Sequence, residues 1–188
     1  MRIVALTGNM GSGKTTVLNS VRSSLVGKVS ADKIVSGLYK NGAVKKKLVK
    51  KFGTAKRKEI AGIAFSSKAK RKQLEKILHP LVWKEIKSRT SAFKKKGKKL
   101  VVVEVPLLFE AGWQKRFDKA ILVKASKQKC VARMVRKGMG KKEAGARLEA
   151  QMPESKKIKA CQFSIDNNGQ KARAIAQAKK IMEELMDG

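Results

Sequence analysis

Gly8-Asn9-Met10-Gly11-Ser12-Gly13-Lys14-Thr15 is the stretch that decides the fold. It fits G-x-x-x-x-G-K-[ST], the phosphate-binding loop, and its surroundings fit too. Ile3-Val4-Ala5-Leu6 before it is a short apolar run that reads as a buried strand. Thr16 to Leu25 after it reads as a helix, with Val17, Leu18, Val21 and Leu25 as an apolar stripe at helical spacing. Strand, glycine loop and helix is the arrangement that phosphate binding needs. The glycines let backbone N–H groups approach a nucleoside triphosphate, and the helix aims its positive end at the same charge. Lys14 is expected at the β- and γ-phosphates, and the Thr15 hydroxyl on a bridging Mg²⁺. Thr16 is expected to complete the ATP contacts.

Outward from the loop, short apolar runs recur at Val29–Ser30, Leu100–Val105, Ala120–Val123 and Phe163–Ile165, separated by helical patterns. Strands alternating with helices predict an α/β fold: a parallel five-stranded sheet flanked by helices. The long stretch between the second and third strands holds two apolar stripes. One is Val44, Leu48, Val49 and Phe52; the other is Leu74, Ile77, Leu78, Leu81, Val82 and Ile86, with Pro80 starting a new segment or kinking the old one. One domain over 1–188 is expected, with a core at about 1–36 and 97–188, a helical insertion at about 37–96 and a lid at about 127–155. A last helix over about Lys171–Met186 faces inward through Ile175, Ile181, Met182 and Leu185.

Arg133, Arg136 and Arg147 lie around Gly138 and Gly140. On a helical flap they would neutralise charge during phosphoryl transfer. The same spacing also fits three more members of a basic surface.

The 188-residue chain has 42% hydrophobic residues, enough for a sizeable core. No apolar run is long enough to span a bilayer, and the N-terminal apolar stretch is too short for a signal peptide, so a cytoplasmic protein is expected. Cys130 and Cys161 show no metal-ligand spacing and read as buried or half-buried thiols. Charge is the anomaly: Lys+Arg 46 against Asp+Glu 14, a net +32, where a small domain usually carries about 2–8. Pairs and triplets such as Lys45-Lys46-Lys47, Lys94-Lys95-Lys96 and Lys156-Lys157 are scattered over nearly every polar segment. Aromatic residues are only 5% and do not interleave with them as a base-stacking platform would. A lysine-rich surface with weak, salt-sensitive polyanion binding is expected, without specific nucleic-acid or membrane partners, in a monomer or weak oligomer.

Several stretches in order resemble the dephospho-CoA kinase family: the phosphate loop, Ala31-Asp32-Lys33-Ile34-Val35, Leu78-His79-Pro80-Leu81-Val82, Val105-Pro106-Leu107-Leu108-Phe109-Glu110-Ala111-Gly112, Arg147 through Gln151-Met152-Pro153, and Ile165-Asp166-Asn167-Asn168-Gly169. The resemblance implies a P-loop kinase core with a CoA-binding helical insertion and a lid. The implied reaction moves the ATP γ-phosphoryl group to the ribose 3′-hydroxyl of dephospho-CoA. Lys14, Asp32 and Arg136 are then the catalytic candidates, with Asp32 as base or as orienter of the hydroxyl. Asp32 as a helix N-cap is the rival reading. Arg133, Arg147, Asn167 and Gly169 would join the loop in holding ATP. His79, Pro106, Leu107, Phe109 and Glu110 would line the dephospho-CoA side, and Glu104 would hold a Mg²⁺ water.

The chain departs from the family pattern at Ser30, Glu104, Lys137 and Gln162, each where the family usually has an aspartate or another acid, and at the weakly matching Thr54-Ala55-Lys56-Arg57. Lys14, Thr15 and Asp32 are untouched, so a retained ATP site with room for reduced activity is expected. Two alternatives stay open: a P-loop kinase for another nucleoside or small hydroxyl substrate, and a lysine-rich nucleotide- and polyanion-binding protein.

Overall fold

A computed structural model describes residues 1–187. The strands are β1 (Arg2–Thr7), β2 (Val26–Ser30), β3 (Leu100–Glu104), β4 (Lys119–Lys124) and β5 (Phe163–Asp166). They form one sheet in the order β2-β3-β1-β4-β5. β1 pairs in parallel with β3 and with β4, and β4 with β5. Each expected apolar run is therefore a strand. β3 is buried at every residue, as its unbroken Leu-Val-Val-Val run requires. From β1 the chain crosses to one side for β2 and β3, then to the other for β4 and β5. The strand order thus reverses at β1, and such a switch point opens a crevice at the carboxyl ends of the strands.

The helices are α1 (Lys14–Ser20), α2 (Ala31–Leu38), α3 (Gly42–Phe52), α4 (Arg57–Ser66), α5 (Lys68–Lys95), α6 (Lys127–Val135), α7 (Lys141–Glu149), α8 (Glu154–Ala160) and α9 (Lys171–Asp187). Val17 and Leu18 of α1 and Ala174, Ala178, Ile181, Met182 and Leu185 of α9 pack on Val4, Leu6, Val102, Ile121, Val123 and Ile165 of the sheet. The two alanines let α9 lie close, and Ile175 is only half-buried.

Two compact units are distinguishable: Met1–Val29 with the chain from Thr90 on, and Ser30–Arg89. The second has its own apolar cluster of Val44, Leu48, Ile60 and Leu78, with Val35, Leu38, Tyr39, Phe52, Leu74, Ile77 and Leu81 against it. The Asn41 side chain caps α3 by accepting from the Val44 N–H at 3.1 Å.

Several local expectations change. α1 ends at Ser20 rather than Leu25, because Val21 turns extended, and Leu25 is 40% exposed instead of lying on a buried stripe. Val49 is 49% exposed, so the α3 stripe is Val44 and Leu48 with Phe52 at its edge. Pro80 starts no new helix: α5 runs through it, leaving the whole stripe from Leu74 to Ile86 on one rod. α2 was anticipated only in the rival reading of Asp32 as a helix N-cap, and α4 was not singled out, although Ile34 and Ile60 bury almost completely.

Candidate active site

The glycine loop leaves the carboxyl end of β1 and delivers Lys14 to the first position of α1, with Gly13 as N-cap in the left-handed region. Leu6 of β1 lies in register with Glu104, the last residue of β3. That register brings the two strand ends together, and the Thr15 hydroxyl donates to Glu104 Oε1 at 2.6 Å. Glu104 is 3% exposed. A hydroxyl and a carboxylate side by side form an all-oxygen donor set of the kind a hard divalent cation takes.

Lys14 is 6% exposed, and its ammonium donates to the carbonyls of Gly8 (2.9 Å) and Asn9 (3.0 Å). The lysine therefore lies back along the loop, within reach of the space that the loop encloses. That space is a pocket of about 600 Å³ lined by Met10, Gly11, Gly13, Lys14, Thr15, Thr16, Arg133, Met134, Arg136, Lys137, Met139, Asn167, Gly169 and Lys171. Its walls are thus the loop, the end of α6 and the turn after β5. Its positive lining and its size suit a nucleotide. The buried Ser12 hydroxyl within the loop has no hydrogen-bond partner among the described residues.

Arg133 lines this pocket and also binds the loop itself. Its guanidinium reaches under the loop and donates to the carbonyls of Gly11 (3.2 Å), Ser12 (3.1 Å) and Asn167 (2.8 Å). The Asn167 amide donates to the same Ser12 carbonyl at 2.7 Å and packs on Gly13. Arg133 and Asn167 thereby clamp the phosphate loop from below. Asp166 shapes the turn that carries Asn167 and Gly169 by accepting from the N–H and the amide of Asn168, both at 2.8 Å. Those bonds, the backbone one first, hold the Asp166 carboxyl below its usual range.

Other candidates fall outside this pocket. Arg147 pairs with Glu143 on its own helix at 2.7 Å. Glu110 Oε1 accepts from the Met152 N–H at 2.9 Å and pairs with the Lys157 ammonium at 2.9 Å. Pro106, Leu107 and Phe109 follow β3, with Leu107 47% exposed. In the other unit, Asp32 stands in the first turn of α2. The N-cap there is Ser30, which corrects the reading of Asp32 as the cap. His79 is half-buried on α5 beside Pro80. Gln162 braces the start of β5: its side chain accepts from the Ala120 N–H at 2.9 Å and its N–H donates to Ala120 O at 3.1 Å.

Sequence reading missed two residues here. Gln151 Oε1 accepts from the Met10 N–H at 2.8 Å, tying the tip of the phosphate loop to the segment after α7. Lys157, counted with Lys156 as surface charge, is 0% exposed. Nothing in the sequence signals it: only the structure shows the same helix burying Lys157 and leaving Ile158 44% exposed. Burial also pushes the Cys161 thiol up to about 11. Among the described residues no three or more His, Cys, Asp or Glu side chains gather into a metal-binding group, and no helix is long and apolar enough to cross a membrane.

Residues 2–173 match the family model for dephospho-CoA kinase. The dephospho-CoA kinase of Aquifex aeolicus is 34% identical over 194 aligned positions, covering 98% of each chain. The crystal structure of TT1252 from Thermus thermophilus superposes with a TM-score of 0.87 at 32% identity, covering 100% of this chain and 98% of that one. The dephospho-CoA kinase from Campylobacter jejuni does so with a TM-score of 0.69 at 26% identity, covering 99% and 98%. A loop built to hold phosphates, on a five-stranded sheet, thus agrees with an alignment that runs nearly end to end: the chain belongs to the dephospho-CoA kinase family.

Proposed function

We propose a division of labour within this chain for the family's reaction, the ATP-dependent phosphorylation of dephospho-CoA that completes coenzyme A synthesis. The observation that carries it is the loop pocket, with Lys14, Thr15 and Arg136 on one wall or another. The backbone N–H groups of residues 8–16 take the phosphates, and Lys14 exchanges the Gly8 and Asn9 carbonyls for β- and γ-phosphate oxygens. The Thr15 hydroxyl would be a ligand of Mg²⁺ and Glu104 would hold one of its waters; the ion would supply positive charge against the phosphates. Arg136 and Lys137, on the pocket wall, screen the charge that develops on the transferred group. Arg133 and Asn167 keep the loop in its binding shape, and Gly169 lets the nucleotide lie against the turn after β5.

Asp32 takes the proton of the ribose 3′-hydroxyl as that oxygen bonds to the γ-phosphorus. The bond from phosphorus to the β–γ bridging oxygen breaks, and ADP leaves. We assign the helical stretch at about 37–96, with His79, to the CoA moiety, joined by Pro106, Leu107, Phe109 and Glu110. The stretch at about 127–155, with Arg147, serves as the lid. The protein is expected to work in the cytoplasm on Mg-ATP and dephospho-CoA, as a monomer or weak oligomer, with only salt-sensitive binding of nucleic acid.

A coupled ADP-release assay with Mg-ATP, with and without dephospho-CoA, tests this reading beside Lys14→Ala and Asp32→Asn. ADP release that needs dephospho-CoA and falls steeply in both variants is the expected result. Full turnover in Asp32→Asn would remove Asp32 from the role of base. Turnover with a nucleoside but none with dephospho-CoA would overturn the acceptor.

A further inference from the structure

α8 is built inside out. It exposes Ile158 and hides Lys157 completely. Burying an ammonium is costly unless hydrogen bonds and an opposite charge surround it. Lys157 has both: Nζ lies 3.0 Å from Asn9 Oδ1 and 2.9 Å from Glu110 Oε1. Asn9 is the second residue of the phosphate loop, and its own carbonyl accepts from Lys14. Two lysines therefore converge on one asparagine, one from inside the loop and one from α8. Glu110 Oε1 also accepts from the Met152 N–H, and Gln151 accepts from the N–H of Met10, the next loop residue. The first turn of the loop is thus bound side-on to residues 151–157.

We propose that Lys157 is a positioning residue for phosphoryl transfer. It holds Asn9, and through it the Gly8–Asn9 turn and the Lys14 ammonium, in register with the segment that follows α7. It is not among the residues that line the nucleotide pocket. A uniformly charged surface does not account for it, because a surface lysine has no reason to be fully buried. This inference rests on reading the loop as the ATP site.

The test is Lys157→Met, which keeps the length of the side chain and removes its charge, in a cycle with Asn9→Ala. Turnover, the KM for each substrate, the Kd for Mg-ATP and Tm are measured for all four proteins. The expected result is a fall in kcat/KM for ATP of about 100-fold in Lys157→Met, the cost of a small misplacement of reacting groups. Asn9→Ala should fall comparably, the pair together no further than the worse single variant, and the KM for dephospho-CoA should stay unchanged. A lower Tm with kinetic constants unchanged below it would reduce Lys157 to a structural residue and overturn the proposal. Losses that multiply in the double variant would also overturn it, since Lys157 would then not act through Asn9. Should Lys157→Met fail to fold, Asn9→Ala, which retains the Lys157–Glu110 pair, decides alone: unchanged kcat/KM for ATP rejects the proposal. If the unsubstituted protein does not turn over dephospho-CoA, the assigned acceptor fails instead, and the Kd for Mg-ATP in the same cycle still judges Lys157.

Discussion

The Thr15 hydroxyl donates to the Glu104 carboxylate across 2.6 Å, joining the first turn of α1 to the end of β3. The bond exists because Leu6 and Glu104 are register partners, so the phosphate loop and the end of β3 emerge side by side. Removing the carboxylate leaves Thr15 in place but unsupported. Glu104→Gln is expected to raise the Mg²⁺ concentration needed for half-maximal turnover by about 10–100-fold, the usual cost of losing a group that orients a metal ligand. Mg²⁺ titrations at saturating ATP check this. An unchanged titration curve would take Glu104 out of the metal site.

Arg133 and Arg136, three residues apart, should respond differently to removal. Arg133→Ala removes a donor from three backbone carbonyls at once, of which Ser12 keeps the Asn167 amide. Leaving such acceptors unsatisfied costs about 1–3 kcal/mol, so both stability and ATP affinity should drop. Arg136 is exposed on the pocket wall and anchors nothing that a melting curve would register. Arg136→Ala should keep its Tm while kcat falls about 10²–10³-fold, the range for losing one donor to a developing negative charge. Equal Tm losses in the two variants would refute the distinction.

Gly11 and Gly112 both have positive φ, 79° and 66°, yet only one is crowded. A Cβ at Gly11 would stand 2.5 Å from the Cys130 carbonyl oxygen, on the rigid backbone of α6, while Gly112 opens on empty space. Gly112→Ala should therefore lose only the backbone term of about 1–3 kcal/mol. Gly11→Ala should lose more, because α6 must shift, and should lose ATP binding as well. Denaturant unfolding with a nucleotide-binding assay separates the two. A Gly11→Ala protein that binds ATP normally would show that the loop tolerates displacement from Cys130.

The phosphate loop and β3 were legible because each is dictated locally, by glycines and a lysine at fixed spacing and by a continuous apolar run. The end of α1 was not, since Val21-Arg22-Ser23-Ser24 contains no glycine or proline to mark it. α5 hid its continuity behind Pro80, which a long rod tolerates when packing on either side holds it. The clamp beneath the loop depends on contacts between residues more than a hundred positions apart, such as Arg133 with Gly11. No local pattern encodes such a pairing. Lys157 was invisible for the opposite reason: in a chain with 46 basic residues, one more lysine carries no signal until burial singles it out.

Asp166 supplies the pH dependence that can be assigned most directly. Its carboxyl is held below the usual range, first by the Asn168 N–H and then by the Asn168 amide, with Lys124 and Arg173 adding to the effect. A folded pKa below the unfolded one adds stability above the unfolded value, and that stability is lost as pH falls through the folded value. Asp166→Ala should therefore be less stable than the parent at pH 7, and the gap should close through and below the carboxylate range. Chemical denaturation of both proteins at pH 7 and near pH 3 measures it. A gap that persists undiminished at the acid end would mean that the turn depends on the side chain's shape and not on its charge.

The charge itself makes the last prediction. Fourteen acidic residues cannot neutralise 46 basic ones, and the chain is left with a net charge of +32. The ion pairs that do form on the surface, such as Lys56–Glu59 at 3.1 Å and Lys179–Glu183 at 3.8 Å, are exposed and contribute little. At about 0.01 M salt the Debye length is about 30 Å, so charges across the whole molecule repel; at about 0.15 M it is about 8 Å and the repulsion becomes local. Tm should rise over that interval, and more steeply with polyphosphate, which binds the lysines as well as screening them. The same screening should abolish binding to a DNA duplex, because a diffuse positive field holds nucleic acid only through counterion release. A flat Tm would show that the lysines are spaced too far apart to repel. DNA binding that survives at about 0.15 M salt would mean that some of them form a dedicated nucleic-acid surface, and the basic face would then have a role separate from phosphoryl transfer.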